Sequence, residues 1–528
     1  MKGVMLIAPE IQELLAKLER RAAQLEEHNT ALERENKILR EELALLRQHV
    51  FGRRSERMES GQTGLFGLDD LREATAQAAQ AQERAHAPSP KTKGHGRAAF
   101  PAHLPRETIA LTVPEEQRTC PDCGQAMHPI GQDVTERGHI VPARIVVRRY
   151  EREKIACPDG HAVVTAQAPE GLVPRAKYET SVYAHVVVSK YLDHIPLNRM
   201  EGMLRRQGAD LPKQTQWDML VAVDEQFAQP VLEQCRLELK RESVLQSDES
   251  PMRMRLEEGR GSKEVWAWLW RSLREGGPQK VLVDFKLHKN RDGPKGFLGD
   301  WTGTLLCDGT SAQDGVVAAN DIVRAGCMAH SRRYFKKAFD AGTKEAALCL
   351  APINRLFWLE RAVNRRADRL ELDLDARREL RRRVRSERST VVLDELYKVA
   401  GRLAQDVATL ARGQLGKGLT YLENQRGPLS VFLSDPRLPI HNNDCERDLR
   451  HLVVGRNNWQ IFASERGGEV ACRLYSLVLS AKLNGVDPLE YFTDCLQRLS
   501  TTPHSRIAEL TPWGWAAARR AEHDAQAS

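Results

Sequence analysis

Apolar residues recur every seven positions along the first fifty residues of the chain. The series runs through Ile11, Leu18, Leu25, Leu32, Leu39 and Leu46, and the positions three before these leucines hold Leu15, Ala22, Asn29, Asn36 and Leu43. This heptad pattern predicts a leucine-zipper coiled coil over 9–50. Because Asn at successive interior positions favours aligned two-stranded pairing, we expect a parallel homodimer. A helix packed on its own protein is the alternative.

The periodicity is lost over 53–107. This stretch is rich in Ala, Gln, Gly, Pro and charged residues, and it ends in a basic run from Lys91 to Arg97. Such a composition predicts a flexible basic linker. Its basic end either follows a phosphate backbone or is a solvated run of charge.

Four potential zinc ligands lie within the segment 108–175. Cys120 and Cys123 form a Cys-x2-Cys pair, and Cys157 and His161 form a second pair after a stretch from 140 to 150 that reads as strand-rich. Two such turns can converge to hold Zn²⁺ in a closed tetrahedral site. We therefore expect a structural zinc ribbon that supports a DNA-contacting surface. Four unliganded residues are the alternative, because Cys-x3-His is a less usual spacing.

Helical periodicity begins again over 180–240. It predicts helices over Ser181–Leu192 and Leu197–Gln207, a turn, and a third helix that begins near Lys213. This helix-turn-helix-like segment suits insertion of the last helix into a DNA major groove, although an ordinary helical bundle has the same pattern. The candidate DNA-binding residues here are Arg199, Arg205, Arg206 and Lys213.

The pattern changes to strands in the segment 243–338. The predicted strands are Val244–Pro251, Met252–Leu256, Val265–Trp270, Val281–Phe285 and Gly303–Thr310, with a mostly antiparallel start. Asp248 is expected to end the first strand, and Asp308 stands at the end of the last. Two carboxylates at the ends of neighbouring strands can share a hard metal ion through their oxygens.

A long segment, 339–430, precedes the last part of the predicted core, 431–488. It is rich in helix formers and in six arginines, Arg377, Arg378, Arg381, Arg382, Arg383 and Arg385. We expect a helical insertion that lies along DNA, or else a solvated and salt-bridged helical pair. Glu446 lies in the segment His441–Arg450, which reads as the capped start of a helix. The apolar face of this helix can pack on the sheet and bring the Glu446 carboxylate to the same metal site. We expect a C-terminal helical tail over residues 489–528.

Composition adds limits to this picture. A chain of 528 residues is too long for one core, so we expect several domains. The net charge of +7 is a mild indication of a polyanionic partner. Because the chain has no apolar run of membrane-spanning length and no secretory signal, we expect a cytoplasmic protein without a membrane partner. Its ten cysteines are then thiols or metal ligands rather than disulfides.

Seven motifs occur together and in a fixed order. They are Ser247–Pro251 (Ser-Asp-Glu-Ser-Pro), Leu306–Gly309 (Leu-Cys-Asp-Gly), Gly326–Phe335, Asn442–Arg447 (Asn-Asn-Asp-Cys-Glu-Arg), Gly455–Trp459, Arg466–Glu469 and Ala481–Pro488. This set resembles the IS66-family insertion-sequence transposases, and the resemblance covers essentially the whole chain. The chain departs from the family pattern at His161, where a Cys is usual, and at Met328, where an aromatic residue is common.

The resemblance implies a multidomain protein with an α/β ribonuclease H-like catalytic core and a DDE triad of Asp248, Asp308 and Glu446. These acids would hold two Mg²⁺ or Mn²⁺ ions per site. Glu249 and Asp444 are the rivals: the strand pleat should turn Glu249 to the opposite face, and Asp444 should lie off the helical face of Glu446. Phosphate-binding candidates near the site are Arg447, Arg450, Arg456 and Lys482.

A transposase is thus the leading hypothesis. It would bind double-stranded DNA at the ends of a mobile element, cleave it and join it to target DNA, in the bacterial cytoplasm and in association with the nucleoid. Small accessory proteins of the same element are further partners that the resemblance implies. The alternatives are a zipper and zinc DNA-binding regulator without catalytic activity, and a metal-dependent nuclease without strand transfer. Cys327 and His330 are expected to pack or line the site rather than bind a second zinc ion.

Overall fold

The computed structural model describes the chain in several stretches. They are residues 9–51, 106–109, 122, 125–126, 134–135, 137, 145–156, 163–167, 169 and 171–527, apart from 257–260, 310–312, 314, 318–319 and 406–412. The four predicted zinc ligands and most of the predicted linker lie outside the described residues. Residues 67–149 form one compact unit, and 1–66 together with 150–528 form another.

A single helix, α1 (Pro9–Phe51), contains the whole heptad series. Leu18, Leu25, Leu32 and Leu39 recur along it and are between 42% and 59% exposed. A row of exposed leucines at this spacing is an apolar stripe of the kind that a partner helix covers in a coiled coil. The helix agrees with the prediction, whereas its pairing stays a prediction.

A short antiparallel hairpin follows the compact unit 67–149 along the chain. Its strands are β1 (Lys154–Ala156) and β2 (Val163–Thr165), and Ala156 stands opposite Val163. The two strands flank the residues that include Cys157 and His161. The strand-rich stretch predicted from 140 to 150 is wrong in its described part, because residues 145–150 form no strand. The hydrophobic residues there are exposed, so they lack the buried face that would stabilise a strand.

Four helices then form a bundle on one side of the core. They are α2 (Thr180–Tyr191), α3 (Leu197–Arg206), α4 (Lys213–Val223) and α5 (Gln229–Leu239), with a π-helical turn over Asp224–Ala228 before α5. The three predicted helices are confirmed to within a residue. Glu201 fixes the turn between α3 and α4, because its carboxylate accepts hydrogen bonds from Arg205 at 2.8 Å and from the Lys213 amide at 3.1 Å.

A mixed five-stranded sheet forms the centre of the fold. Its strands are β3 (Val244–Arg255), β4 (Ser262–Ser272), β5 (Val281–Lys286), β6 (Thr304–Cys307) and β7 (Val323–Gly326), and their order across the sheet is β5-β4-β3-β6-β7. The strands β3, β4 and β5 are antiparallel, in agreement with the predicted antiparallel start, although the predicted strands Val244–Pro251 and Met252–Leu256 form the single strand β3. The strand β6 is parallel to β3, and β7 is parallel to β6.

Asp248 does not end its strand, so that prediction is wrong. The strand β3 continues past Pro251 to Arg255 because β4 pairs with it from Leu245 onwards. The pairing between β3 and β6 is what ends, at Gln246. Asp248 therefore lies where β3 loses its neighbour on one side.

Side chains of the sheet alternate between two hydrophobic cores. Leu245 and Leu305 face a core shared with α2–α5, and Val244 and Leu306 face a second core. The next helices along the chain are α6 (Asp292–Leu298), α7 (Met328–Asp340), α8 (Ala346–Arg369), α9 (Leu374–Val384), α10 (Thr390–Gln405) and α11 (Gln414–Asn424). Of these, α7, α8, α10 and α11 cover the second core, while α6 packs in the first. Burial of both faces explains the nearly continuous apolar sequence of β6.

Two of the six arginines predicted to lie along DNA are buried instead. The Arg385 side chain is 0% exposed and donates to Glu360 and to the carbonyls of Phe432 and Leu438. The Arg381 side chain is 9% exposed and lies 2.8 Å from Glu275. The others form ion pairs, Arg377 with Asp368, Arg378 with Asp375, Arg382 with Glu379 and Arg383 with Glu387. The salt-bridged alternative is the one that these contacts support.

Helices of the last hundred residues close the fold. They are α12 (Asn443–Trp459), α13 (Glu465–Leu483), α14 (Pro488–Arg498) and α15 (Pro512–Ala527). On α13, Ser476 and Ser480 accept hydrogen bonds from the Val283 and Val281 amides at 2.8 and 3.1 Å, and so cover the edge of β5. None of the helices in the described part of the chain has the length and hydropathy to cross a membrane.

Candidate functional site

Asp248 and Asp308 lie at the same level on neighbouring strands. In the parallel register of β3 and β6, Gln246 stands opposite Leu306, so both aspartates come two residues beyond the last paired position. One carboxylate oxygen each from Asp248, Glu249 and Asp308 lie within 4.8 Å of one another. The structure therefore brings the first two predicted acids together and adds a third that was not expected there.

The backbone after Asp308 is shaped by Gly309. This glycine has a φ of +89°, and a Cβ atom in its place would meet the side chains of Arg324 and Gln425. The Tyr421 hydroxyl donates to the Asp308 carbonyl at 2.9 Å. The Asp-Gly pair is thus required for the chain to turn at the end of β6 while the Asp308 carboxylate stays in the cluster.

The prediction that Glu249 faces away from Asp248 is wrong. The pleat sets only the direction of the Cα–Cβ bond, and the longer Glu249 side chain has further rotatable bonds with which it reaches the cluster. Its side chain is 3% exposed and forms an ion pair with Lys289. Burial and the neighbouring Asp308 raise the pKa of Glu249, whereas Lys289 acts in the opposite direction.

The electrostatics of the cluster are those of crowded carboxylates. Burial, followed by the charges of Asp308 and Glu249, raises the pKa of Asp248 from 3.8 to about 8. Glu446 adds to this shift. One hydrogen bond opposes it, because the Glu249 amide donates to Asp248 Oδ1 at 2.9 Å. Ionisation of the whole cluster is therefore costly unless a cation accompanies it.

Glu446 approaches the cluster from α12 but is not one of the acids within 4.8 Å of each other. The guanidinium of Arg333 on α7 donates to both Glu446 oxygens at 3.0 Å. The structure brings Glu446 near Asp248, close enough to affect its pKa. Asp444, the rival acid, is instead engaged by Arg274 at 2.7 Å.

Asn442 connects α12 to the sheet beside Asp248. The side chain is buried, donates to the Ser247 carbonyl at 2.8 Å and accepts from Gln246 at 3.2 Å. The backbone amide of Asn442 donates to Cys327 Sγ at 3.2 Å. Sequence reasoning did not identify Asn442, Arg333 or Lys289. The paired Asn residues before Glu446 were a signal for the first, since a buried amide must find partners.

Cys327 and His330 line the site, as predicted. Cys327 is buried and accepts the Asn442 hydrogen bond. Burial lowers the pKa of His330, while the nearby carboxylates of Asp308 and Glu446 act in the opposite direction. The His330 ring also packs against Tyr421, with centroids 5.3 Å apart. Among the described residues, neither belongs to a group of potential metal ligands.

The predicted phosphate-binding residues occupy several places. Arg447 lies 3.3 Å from Asp444, and Arg450 is exposed on the same helix. Arg456 donates to the Pro251 carbonyl, and Lys482 Nζ is 3.4 Å from His451 Nε2. All the candidate DNA-binding residues of the helical segment are exposed, namely Arg199, Arg205, Arg206 and Lys213. Contact of all these residues with DNA stays a prediction.

The carboxylate cluster fits a hard divalent cation. Such ions are bound through carboxylate oxygens, and three residues supply them here. Among the described residues, Asp308 Oδ1 and Glu249 Oε2 are buried and have no hydrogen-bond partner. Buried oxygens without donors are ligand atoms for which a cation would compensate.

Comparisons with known families match four parts of the chain. The model described as "Transposase IS66 family" matches residues 175–470, which is more than half of the chain. Further matches are "Transposase C of IS166 homeodomain" over 38–109, "zinc-finger binding domain of transposase IS66" over 117–159 and "IS66 C-terminal element" over 476–513. The zinc-finger match contains Cys120, Cys123 and Cys157, but ends before His161.

Two curated relatives come from Sinorhizobium fredii (strain NBRC 101917 / NGR234). The protein named "Uncharacterized protein y4hP" is 28% identical over 492 residues, and "Uncharacterized protein y4qI" is 29% identical over 488 residues. Each alignment covers 88% of this chain and 86% of the relative. With the family match over the sheet, the carboxylate cluster and α12, these findings show that the chain belongs to the IS66 family of transposases.

Proposed function

We propose that this chain is a DDE-type DNA transposase, which binds the ends of a mobile element and carries out metal-dependent cleavage and strand transfer. The observation that carries the proposal is the group of partly buried carboxylates at the level where β3 and β6 separate. Asp248, Asp308 and Glu446 are the proposed catalytic acids. Family membership supports the transposase, and the cluster supports the metal-dependent chemistry.

The central sheet is proposed to be a ribonuclease H-like core. Its support is the strand order β5-β4-β3-β6-β7, with an antiparallel start followed by two parallel strands. The acids come from the first and fourth of these strands along the chain and from a helix that packs on β3. Such placement lets residues distant in sequence share one site, beside which Tyr421 of the helical insertion contacts the Asp308 carbonyl.

Two Mg²⁺ or Mn²⁺ ions, when bound, would activate the attacking water or 3′-hydroxyl and stabilise the leaving oxygen of an in-line phosphoryl transfer. Asp248 and Asp308 would hold ions from the strands, and Glu446 would do so from α12. Asn442 positions the start of that helix. Arg333 orients the Glu446 carboxylate. These residues bind and orient, and they need not exchange protons with the substrate.

The remaining segments are proposed to organise the DNA. The stripe of exposed leucines on α1 supports a parallel homodimer. The zinc-finger match supports a structural Zn²⁺ site, with Cys120, Cys123, Cys157 and His161 as the proposed ligands. The basic side chains of α3 and α4 are proposed to contact element ends, which would place the protein at the nucleoid. Small accessory proteins of the same element are proposed partners.

A strand-transfer assay tests this function. Purified chain, Mg²⁺ or Mn²⁺, DNA carrying an element end, and a target plasmid should give joined products. Asp308→Asn should abolish both cleavage and joining, while Glu264→Gln, an exposed change on β4, should leave both unchanged. Cleavage without joining would indicate a nuclease. DNA binding that Asp308→Asn leaves intact, with no cleavage by the unsubstituted chain, would indicate a regulator.

A further inference from the structure

We propose that Glu249 is an additional ligand of the metal centre, and that Lys289 is the counter-ion which it exchanges for the metal. This inference rests on the proposed function, because it concerns the same centre. It adds a fourth carboxylate to the three acids proposed above and gives the resting site an internal cation.

The position of Glu249 is the first support. One of its carboxylate oxygens lies within 4.8 Å of an oxygen from Asp248 and of an oxygen from Asp308. Its side chain is 3% exposed, although it lies next to another acid in the sequence. Burial of a carboxylate among carboxylates is unfavourable for folding, so the arrangement calls for a binding partner.

The second support is an unused oxygen. Lys289 pairs with Glu249 Oε1, whereas Oε2 is buried and has no hydrogen-bond partner among the described residues. A buried ion pair that serves only stability needs its remaining lone pairs to be satisfied. Asp308 Oδ1 is also buried and finds no hydrogen-bond partner in the part of the chain that the structure describes. Two unpartnered oxygens on clustered side chains are the donor set of an oxygen-ligated cation.

Lys289 is placed so that it can leave. It lies in the connection between β5 and α6, outside both elements, and its side chain is 36% exposed. In the same position its ammonium group lies 4.8 Å from the centre of the Trp266 ring, a favourable contact that it can keep when the ion pair opens. Because Lys289 lies outside both β5 and α6, it can release the carboxylate without unfolding the sheet.

Mn²⁺ binding to the full chain, measured by electron paramagnetic resonance at constant pH, tests the proposal. Glu249→Gln removes a ligand charge and should weaken Mn²⁺ binding by roughly tenfold or more. Lys289→Gln removes the competing cation and should tighten Mn²⁺ binding by several-fold. Glu264→Gln makes the same change as the first variant at an exposed position on β4 and should leave the affinity unchanged.

The two variants are expected to change the affinity in opposite directions, and a purely structural ion pair would not do this. Unchanged affinity in folded Glu249→Gln would overturn the ligand role. Unchanged or weaker Mn²⁺ binding in Lys289→Gln would overturn the exchange of Lys289 for the metal. If thermal unfolding shows that Glu249→Gln is not folded, the Mn²⁺ affinity of Lys289→Gln alone tests the proposal. Asp248→Asn and Asp308→Asn distinguish a failure of this inference from a failure of the proposed function. If both variants bind Mn²⁺ like the unsubstituted chain, the proposed metal centre itself is wrong.

Discussion

At the scale of single residues, the carboxylate cluster lowers the free energy of unfolding of the metal-free chain and favours the binding of a cation. Asp248 is held beside Asp308 and Glu249 in a partly buried site, where ionisation of all three is unfavourable. A cation that binds the folded chain compensates this cost and stabilises the fold by mass action. The free energy of unfolding should therefore depend on both pH and divalent metal through the same group.

The sign of the pH dependence follows from the raised pKa of Asp248. The unfolded chain releases this proton near its ordinary pKa of 3.8, whereas the folded chain keeps it up to about 8. The contribution of Asp248 to stability is therefore lost as the pH rises from about 4 to 8. We expect metal-free Asp248→Asn to be more stable than the unsubstituted chain at pH 8, by on the order of 3 kcal/mol. Denaturant unfolding measures this difference.

Two controls belong to this measurement. At pH 4 the Asp248 carboxyl is protonated in the folded chain and only about half ionised in the unfolded chain, so the free energies of unfolding of the two chains should differ by less than about 1 kcal/mol. Added Mg²⁺ at pH 8 should stabilise the unsubstituted chain and have less effect on Asp248→Asn. A difference that is the same at both pH values would contradict the assigned cause.

Gly309 provides a test of backbone geometry at the site. Its φ of +89° is strained for any L side chain, and an added Cβ would meet Arg324 and Gln425. We expect Gly309→Ala to lower the free energy of unfolding by about 1–3 kcal/mol and to reduce cleavage, because Asp308 would shift with its neighbour. Denaturant unfolding and the cleavage assay measure the two effects.

Gly401 is the matched control for that substitution. It lies on the exposed side of α10, where an added Cβ has open space around it. Gly401→Ala should leave stability unchanged or raise it by up to about 1 kcal/mol, since Ala is the better helix former. Equal effects of the two substitutions would argue against a special conformation at Gly309.

At the scale of elements, the placement of α12 on the sheet decides where Glu446 lies. Asn442 precedes the helix and bonds to β3 through Ser247 and Gln246, next to Asp248. Farther along the helix, the buried carboxylate of Asp448 lies 2.5 Å from the buried Arg271 of β4. Two polar contacts to different strands therefore fix both the height and the rotation of α12.

Loss of the Asn442 side chain should displace the start of α12. Asn442→Ala leaves the Ser247 carbonyl and Gln246 without a buried partner, so we expect a loss of about 1–3 kcal/mol in stability. Cleavage should fall more steeply than stability predicts, because Glu446 depends on this contact. Asn458→Ala, at an exposed position of the same helix, should change stability by no more than about 0.5 kcal/mol. Similar results for the two would exclude a positioning role.

At the scale of the whole molecule, α1 supplies an interaction surface that the core does not. Leu18, Leu25, Leu32 and Leu39 are exposed at every seventh position of this helix of 43 residues. An isolated amphipathic helix of this composition gains most of its stability from packing of its apolar stripe. The proposed homodimer would bury that stripe and hold two catalytic units together.

Substitution within the stripe should dissociate the dimer. We expect the double change Leu25→Asp and Leu32→Asp to convert the full chain from dimer to monomer in sedimentation analysis, since paired aspartates would face each other in the seam. The double change Glu27→Asp and Arg34→Asp, on the opposite side of the heptad, should leave the dimer intact. A monomeric unsubstituted chain would contradict the proposal.

Much of the fold could be predicted from local patterns. The helices α2–α4 begin within a residue of the predicted positions, because helical periodicity and the Pro-containing turns act over a few neighbours. The strand end predicted at Asp248 is wrong, because the pairing with β4, which lies outside the local pattern, continues the strand to Arg255. The arginines of the insertion show the same limit: their charge suggested DNA, and only the packed helices reveal Arg385 to be buried.

The sequence by itself determined the heptad repeat, the order of the segments, and the motifs that contain Asp248, Asp308 and Glu446. These depend on residues close together in the chain. The tertiary structure decided that Glu249 joins the cluster, that Arg333 holds Glu446, and that Asn442 connects α12 to β3. The physical reason is that side-chain reach, strand register and burial arise between residues far apart in sequence, and local periodicity carries no information about them.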